Sequence, residues 1–456
     1  MDRGESRRAY RARMGRYPVS LPAQGFSTAP TSGHEVPTST TQAKRLALLH
    51  GPDRWWKPPV SHAFSYPGRF DVARLELTLR LLARRHSVLR TYLLPGRSID
   101  VVGCLPAKWA VWPLRVTDAD TPDEVAAAFT WLQRDFDPFE RPLTRALLLR
   151  EPDHDVLGIA VEHSLFDGFS ARLLLADLAT VYDGLKDRPA AEFDVPVSDA
   201  ARFARDERDW LDGAAGKAAL AYWDRHNAGL GAYPRLELPI AAPYDPAAPI
   251  HDCVVPLSED EVIAFRQRMI DARLSGPMLA SAAIAVSLRE HTSSDDVPFL
   301  FSYSRRAWRS TRDLVGYVAN RVQLRVRVDR TDSVAAMTPR VRAGVVEAVE
   351  HGMLSHEQYV RTRFPEHYDR KPTIPYLLLN FAAQQGNAPS IGGTPCTKVS
   401  LPSRNDIYCP PGLGVNLGLR ADGTGTLLSF HPRGMYDLEL VETLTRAIAR
   451  RCVTGA

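Results

Sequence analysis

Lysine is scarce in this chain: 7 of its 57 basic residues are Lys and the other 50 are Arg, a pattern of codon bias. The Arg residues are dispersed and nearly matched by 53 acids, so the net charge is only +4 over 456 residues. Nucleic-acid binding draws on clustered basic residues interleaved with aromatics, and no such partner is expected. Cysteine is sparse too. Cys104, Cys253, Cys396, Cys409 and Cys452 are odd in number and far apart, which gives neither a CxxC metal knuckle nor a disulfide framework and fits a reducing cytoplasm. No run of eighteen apolar residues occurs, so neither a membrane span nor a membrane partner is expected. The Arg-bearing start, Met1 to Pro18, is not followed by the apolar stretch of a signal peptide, and export is not expected. P-loop and HExxH patterns are absent; neither ATP nor zinc chemistry has support, and no metal site is expected.

What is present has the composition of a folded protein, 45% hydrophobic and 24% charged. A length of 456 residues allows two to three domains of about 150 residues, or one large pseudo-symmetric body. Residues 1–37 read as an extended lead-in, rich in Pro, Ser, Thr and Gly. Val72, Leu75, Leu79 and Leu82 fall at helical spacing within 72–85. Residues 144–149 and 156–161 read as a hairpin across a polar EPDHD turn, followed by a helix over 169–182 that Asp183-Gly184 closes. The Pro-bearing stretch 185–198 is the best domain boundary, separating an N-terminal lobe (38–184) from a C-terminal lobe (199–456). The second lobe opens with one long helix over 199–227. It continues with a strand over 251–257, helices over 260–272 and 278–291, a strand over 297–304, and alternating Val322, Leu324, Val326 and Val328. The halves are alike in content, and the fold class is α/β.

The most informative constellation is His163-Ser164-Leu165-Phe166-Asp167-Gly168, between an apolar strand and a helix. Strand alternation puts Ile159, Val161 and His163 on one face, where an imidazole serves as a proton acceptor at neutral pH. Asp167 sits at the turn, able to accept backbone N–H bonds or to pair with an Arg, and Gly168 permits a tight backbone at the helix start. Taken alone, HxxxDG equally describes a core His beside an Asp helix cap.

Its surroundings change the odds. RRHSVLRTY (84–92), DFDPFERPLTRALLL (135–149), VEHSLFDGFSARLLLADLATVYDG (161–184), LAYWDRHNAG (220–229) and LVGYVANRVQLRVRV (314–328) resemble, in order and spacing, segments of the nonribosomal-peptide condensation-domain superfamily. The resemblance runs from about Thr38 to Arg450, with no sign of adjoining adenylation or carrier modules, as in a free-standing condensation enzyme. It implies two chloramphenicol-acetyltransferase-like lobes forming a V-shaped pseudo-dimer with a central tunnel. The phosphopantetheine arm of an acyl or peptidyl carrier protein would enter on one side, and a small-molecule or carrier-bound acceptor on the other. The second His of the HHxxxDG pattern, the family's active-site residue, falls on His163, and its structural Asp falls on Asp167. The Arg that pairs with that Asp falls on Arg306 or its neighbour Arg305. Glu162 replaces the first His of the pattern; alternation sends it to the opposite face, where a structural carboxylate with an Arg partner is expected. In 368–375 (YDRKPTIP), Thr-Ile replaces the residue pair that the family carries before the Pro.

The implied reaction is acyl transfer from a thioester to an amine or hydroxyl, giving an amide or ester in natural-product biosynthesis. No cofactor is bound, His163 accepts the nucleophile's proton or orients it, and backbone N–H groups around Asp167-Gly168 are candidate oxyanion donors. Alternatives are an acyl-CoA-dependent acyltransferase of the same fold, with coenzyme A as donor, and a catalytically silent docking domain. The plant-type DFGWG loop is absent from 410–425, and retention of His163 argues for catalysis. A monomer is expected. Other motifs are weak: Ser170 reads as a helix-surface residue, Gly412 to Gly418 misses GxGxxG spacing, and His351, His356 and His367 read as solvated. Trp55-Trp56 reads as packing or a tunnel-mouth platform.

Overall fold

The structure is a computed structural model; it describes residues 34–50, 58–94, 99–137, 141–306, 308, 310–383, 388–402, 409–420 and 422–455. Trp55-Trp56 and residues 1–33 of the lead-in lie outside that set. The first half runs β1 (His34–Pro37), α1 (Thr40–His50), β2 (Val60–Tyr66), α2 (Val72–Arg85), β3 (Thr91–Tyr92), β4 (Val101–Cys104), β5 (Leu114–Asp118), α3 (Pro122–Gln133), β6 (Thr144–Arg150), β7 (Asp155–Val161) and α4 (Gly168–Gly184). The second half begins with α5 (Ala200–Asp212), α6 (Ala214–His226), β8 (Ile250–Leu257), α7 (Glu259–Asp271), α8 (Gly276–Arg289), β9 (Asp296–Ser304), β10 (Ala319–Arg327), α9 (Val334–Glu350) and α10 (His356–Arg363). It ends with β11 (Tyr376–Ala383), β12 (Ser390–Ile391), β13 (Thr394–Pro395), β14 (Thr397–Val399), β15 (Gly412–Leu419), β16 (Gly425–Pro432) and α11 (Leu438–Thr454).

Two sheets dominate, one of five strands in the order β14-β2-β7-β6-β5 and one of six in the order β10-β9-β11-β15-β16-β8. Every residue of β7 is buried, and α3 packs on one of its faces. There Gly158 leaves the room that Leu132 fills; a Cβ at Gly158 would come within 2.5 Å of that side chain. Phe64, Phe70 and Tyr182 meet ring to ring beside Leu75 and Leu79 of α2, closing the first core. The second core is separate and gathers α8, α9 and α11 around the six-stranded sheet.

Local signals account for most boundaries. Asp71 caps α2 by accepting from the Arg74 N–H, and Thr121 and Glu124 form a reciprocal capping box on α3. The helix expected over 199–227 is two helices. Gly213 adopts extended dihedrals (φ −77°, ψ 178°) and its N–H closes α5 onto the Asp209 and Trp210 carbonyls. Glycine costs about 1 kcal/mol in a helix interior relative to Ala, which favours the break there.

Two segments cross the boundaries read from the sequence. Residues 34–37, placed in the lead-in, pair with β4 as β1. Strand β14 leaves the second half and adds to the first sheet beside β2, so the stretch 199–456 is not confined to one lobe. Within 185–198, the Val197 N–H bonds the Arg85 carbonyl and Phe193 is buried, so the linker is fastened to the end of α2. Among the described residues no single helix is long and apolar enough to cross a membrane.

Candidate active site

Strand β7 stops at Val161, and Glu162 to Leu165 turn, with the Leu165 N–H on the Glu162 carbonyl at 3.1 Å. His163 therefore lies in a turn, and strand alternation does not decide where it points. Its Nδ1 is 3.1 Å from the Phe166 carbonyl oxygen. A carbonyl only accepts, so Nδ1 carries the proton and donates it, which leaves the lone pair of the neutral ring on Nε2. The half-buried imidazole meets Tyr317 edge-on, with ring centroids 5.8 Å apart. Tyr317 precedes β10, so His163 stands where the two halves of the chain meet.

Asp167 is the N-cap of α4 and is buried. Its Oδ1 accepts from the Ser170 N–H at 2.8 Å and from Arg306 Nη2 at 3.3 Å; its Oδ2 accepts from the N–H groups of Val318 and Ala319, both at 2.9 Å. Three of those four donors belong to the second half, so one carboxylate fastens the motif turn to the start of β10. Arg306 is held in turn by the Thr311 and Leu314 carbonyls at 2.8 and 2.6 Å, and its guanidinium lies over the Phe169 ring. Burial pulls the Arg306 pKa below the ordinary Arg value, while Asp167 opposes that shift.

Arg305, the alternative partner for Asp167, is committed elsewhere. Fully buried, it donates to Glu207 of α5 and, at 2.9 Å, to the Thr41 hydroxyl of α1. Glu207 also accepts from the Thr40 N–H and hydroxyl, each at 2.7 Å. Ser170, read as a helix-surface residue, is fully buried. Its hydroxyl donates to the Gly316 carbonyl at 2.7 Å and accepts from the Gly316 N–H and Arg306 Nη2 at 3.0 and 2.9 Å. The spacing D-G-F-S was the available signal: a helix cap and a residue three positions on share one face.

Glu162 is buried, but its hydrogen bond comes from the Ser164 N–H at 3.1 Å and not from the Arg that was expected. Burial pushes its carboxyl up to about 7, with the Ser164 contact and the nearby Arg45 charge pulling the other way. Gly168 opens α4, and a Cβ there would meet nothing within 4 Å, so the helix start does not require glycine for room. The space beside it is open.

A second buried polar group lies between α1 and α10. Lys44 donates to the Tyr368 carbonyl, and burial together with Arg321 lowers its pKa to about 7. Burial alone would raise Glu357, yet Arg321, with Nε at 2.6 Å, holds it at about 2. His356, read as solvated, is buried at the start of α10 and lowered to about 4 by that burial. No group of three or more His, Cys, Asp or Glu suited to a metal ion occurs among the described residues.

The fold that carries this turn has counterparts among solved structures. The X-domain from teicoplanin biosynthesis superposes with a TM-score of 0.74 at 19% identity, covering 94% of this chain and 97% of that one. The first condensation domain of the CDA synthetase does so with a TM-score of 0.70 at 19% identity, covering 93% and 98%. The fold is thus the two-lobe, chloramphenicol-acetyltransferase-like fold of such domains.

The condensation-domain profile matches residues 34–384, and the chain belongs to that family. The N-(5-amino-5-carboxypentanoyl)-L-cysteinyl-D-valine synthase of Amycolatopsis lactamdurans is 28% identical over 402 residues, 84% of this chain and 11% of that protein. Phosphinothricin tripeptide synthetase PhsC of Streptomyces viridochromogenes is 30% identical over 292 residues, 62% of this chain and 26% of that protein. The chain spans only a small part of the length of these relatives.

Proposed function

We propose that this chain is an acyltransferase that condenses a carrier-protein-bound thioester with an amine or hydroxyl acceptor, forming an amide or ester in natural-product biosynthesis. The observation that carries the reading is His163, its proton held on Nδ1 by Phe166, at the seam that Asp167 and Arg306 close. The two lobes form a V whose central tunnel admits the phosphopantetheine arm from one side and the acceptor from the other.

The acceptor nitrogen attacks the thioester carbonyl carbon and gives its proton to His163 Nε2. Collapse of the tetrahedral intermediate re-forms the C=O bond and breaks the C–S bond, and the departing sulfur takes the proton from His163. Holding both reactants together contributes roughly 7–11 kcal/mol, whereas proton transfer is worth roughly 10²–10⁴-fold. Proximity dominates, and a His163 variant keeps residual turnover.

The test is a screen of carrier-bound acyl thioesters, with the matching acyl-CoA and amine or hydroxyl acceptors, read by mass spectrometry. Product from the carrier-bound donor supports the proposal. Product from acyl-CoA alone replaces it with a CoA-dependent acyltransferase, and carrier binding with no product at all makes the chain a docking domain.

A further inference from the structure

Tyr317 has a role that none of the motifs assigns. Its phenol oxygen receives two N–H groups from one guanidinium, Arg45 Nε and Nη2, each at 3.2 Å. A phenol oxygen has two lone pairs and one O–H. Arg45 occupies the acceptor capacity, so the O–H is what the group has left to offer. Among the described residues no acceptor receives it, although the side chain is half-buried. The same ring packs edge-on against His163, which restricts its rotation.

Arg45 fixes the phenol end of Tyr317 through its two N–H groups, and the ring that carries this hydroxyl is the one that packs against His163. A phenol hydrogen-bonded by a cation is a stronger donor than a neutral one, because the positive charge polarises its O–H. In a half-buried site that effect is weakly screened.

Resting on the acyl-transfer reading above, we infer that Tyr317 is a catalytic residue whose O–H stabilises the oxyanion of the tetrahedral intermediate, with Arg45 as the residue that positions and polarises it. When the acceptor nitrogen bonds to the carbonyl carbon, the C=O π pair moves onto oxygen, and the phenol donates a hydrogen bond to that oxygen without losing its proton. The pair returns as the C–S bond breaks. The acceptor's proton passes through His163, so Tyr317 ends each turnover unchanged. The backbone N–H groups beside Asp167-Gly168 are then not the main donors.

The experiment uses the full chain and the donor and acceptor pair of highest wild-type turnover from the screen. Tyr317→Phe keeps the ring against His163 and removes only the O–H. Its kcat should fall about 10²–10³-fold, the usual loss for one oxyanion donor, with KM within about twofold and melting unchanged. Arg45→Met leaves the phenol in place without its clamp and should lower kcat roughly tenfold, again at constant KM. A Tyr317→Phe variant with wild-type kcat, or one altered only in KM or melting, overturns the assignment while acyl transfer stands. Wild-type turnover in the Arg45 variant removes Arg45 from it. Failure of the wild type with every pair refutes the transfer reading and takes this assignment with it.

Discussion

Substituting Asn for Asp167 preserves the shape of the side chain and changes two things. The charge facing Arg306 disappears, and one carboxylate oxygen becomes an NH₂ group pointed at N–H donors. Either rotamer of the amide fails: NH₂ at Oδ2 opposes the Val318 and Ala319 N–H groups, and NH₂ at Oδ1 opposes Ser170 N–H and Arg306. The side chains of Arg306 and Asp167 are 8% and 4% exposed, so water does not replace what is lost. Hydrogen bonds to a charged group contribute roughly 1.5–3 kcal/mol each, and breaking a buried ion pair costs roughly 3–5 kcal/mol. These terms overlap because Arg306 keeps its two carbonyl partners and its seat on Phe169. A total of about 3–5 kcal/mol is expected. At about 2 cal/mol/K per residue, a chain of 456 residues unfolds with an entropy near 0.9 kcal/mol/K, so Tm drops by about 3–6 °C. Scanning calorimetry on Asp167→Asn, Arg306→Gln and the double variant should give a coupling of roughly 1–3 kcal/mol, within the range for residues in contact. Arg305→Gln should couple to Asp167 more weakly, since it answers Glu207. An Asp167→Asn variant melting within about 1 °C of wild type, against the shift worked above, or additive Asp167 and Arg306 effects, would refute the account of the clamp.

His163→Ala should keep near-native melting and lose most turnover of a carrier-bound thioester; full turnover would remove His163 from the mechanism. Glu162 has a folded-state pKa of about 7, above its ordinary 4.5, so the folded protein holds the extra proton in between. The stability it contributes is present below pH 4.5 and lost as pH rises through about 7. Glu162→Gln should therefore gain on wild type from about pH 5 to about pH 8 by up to about 3 kcal/mol, checked by urea melts across pH. Glu207→Gln strands the fully buried Arg305 and should cost roughly 3–5 kcal/mol in the same assay. Gly168→Ala should melt at or above the wild-type temperature, because its Cβ meets open space, whereas Gly168→Leu should lower turnover without unfolding the chain if substrate occupies that space.

The parts of the fold legible in the sequence are those governed by neighbours along the chain. The helix over 72–85 carries its own cap at Asp71 and its own apolar stripe, and the hairpin around EPDHD needs only two apolar runs and a polar turn. Asp167 and its Arg were approachable because a buried carboxylate must find donors, but adjacent Arg305 and Arg306 present the same chemistry in one dimension. Which of them reaches Asp167 is set by how the chain leaves β9: Arg306 turns toward the motif and Arg305 toward α5. Strand β14 was not legible for a related reason. Three residues, Thr397 to Val399, pair with β2 more than three hundred positions earlier, and so short a strand has no periodicity of its own.

Ser170 and Tyr317 show where local reading stops at the site itself. A Ser in the first turn of a helix is usually solvated, and Ser170 escapes that outcome only because Gly316 and Arg306 arrive from the second half to use both capacities of its hydroxyl. Tyr317 likewise gains meaning from Arg45, on a helix near the other end of the described chain. Both depend on contacts between halves, and the motif turn is where those contacts converge: Asp167 takes two of its three backbone donors from Val318 and Ala319, directly after Tyr317. The clamp that holds His163 thereby also fixes the position of the phenol beside it. A substitution that loosens Asp167 should therefore damage the Tyr317 contact together with the His163 turn, so its loss of activity should exceed that of His163→Ala, which leaves the seam closed.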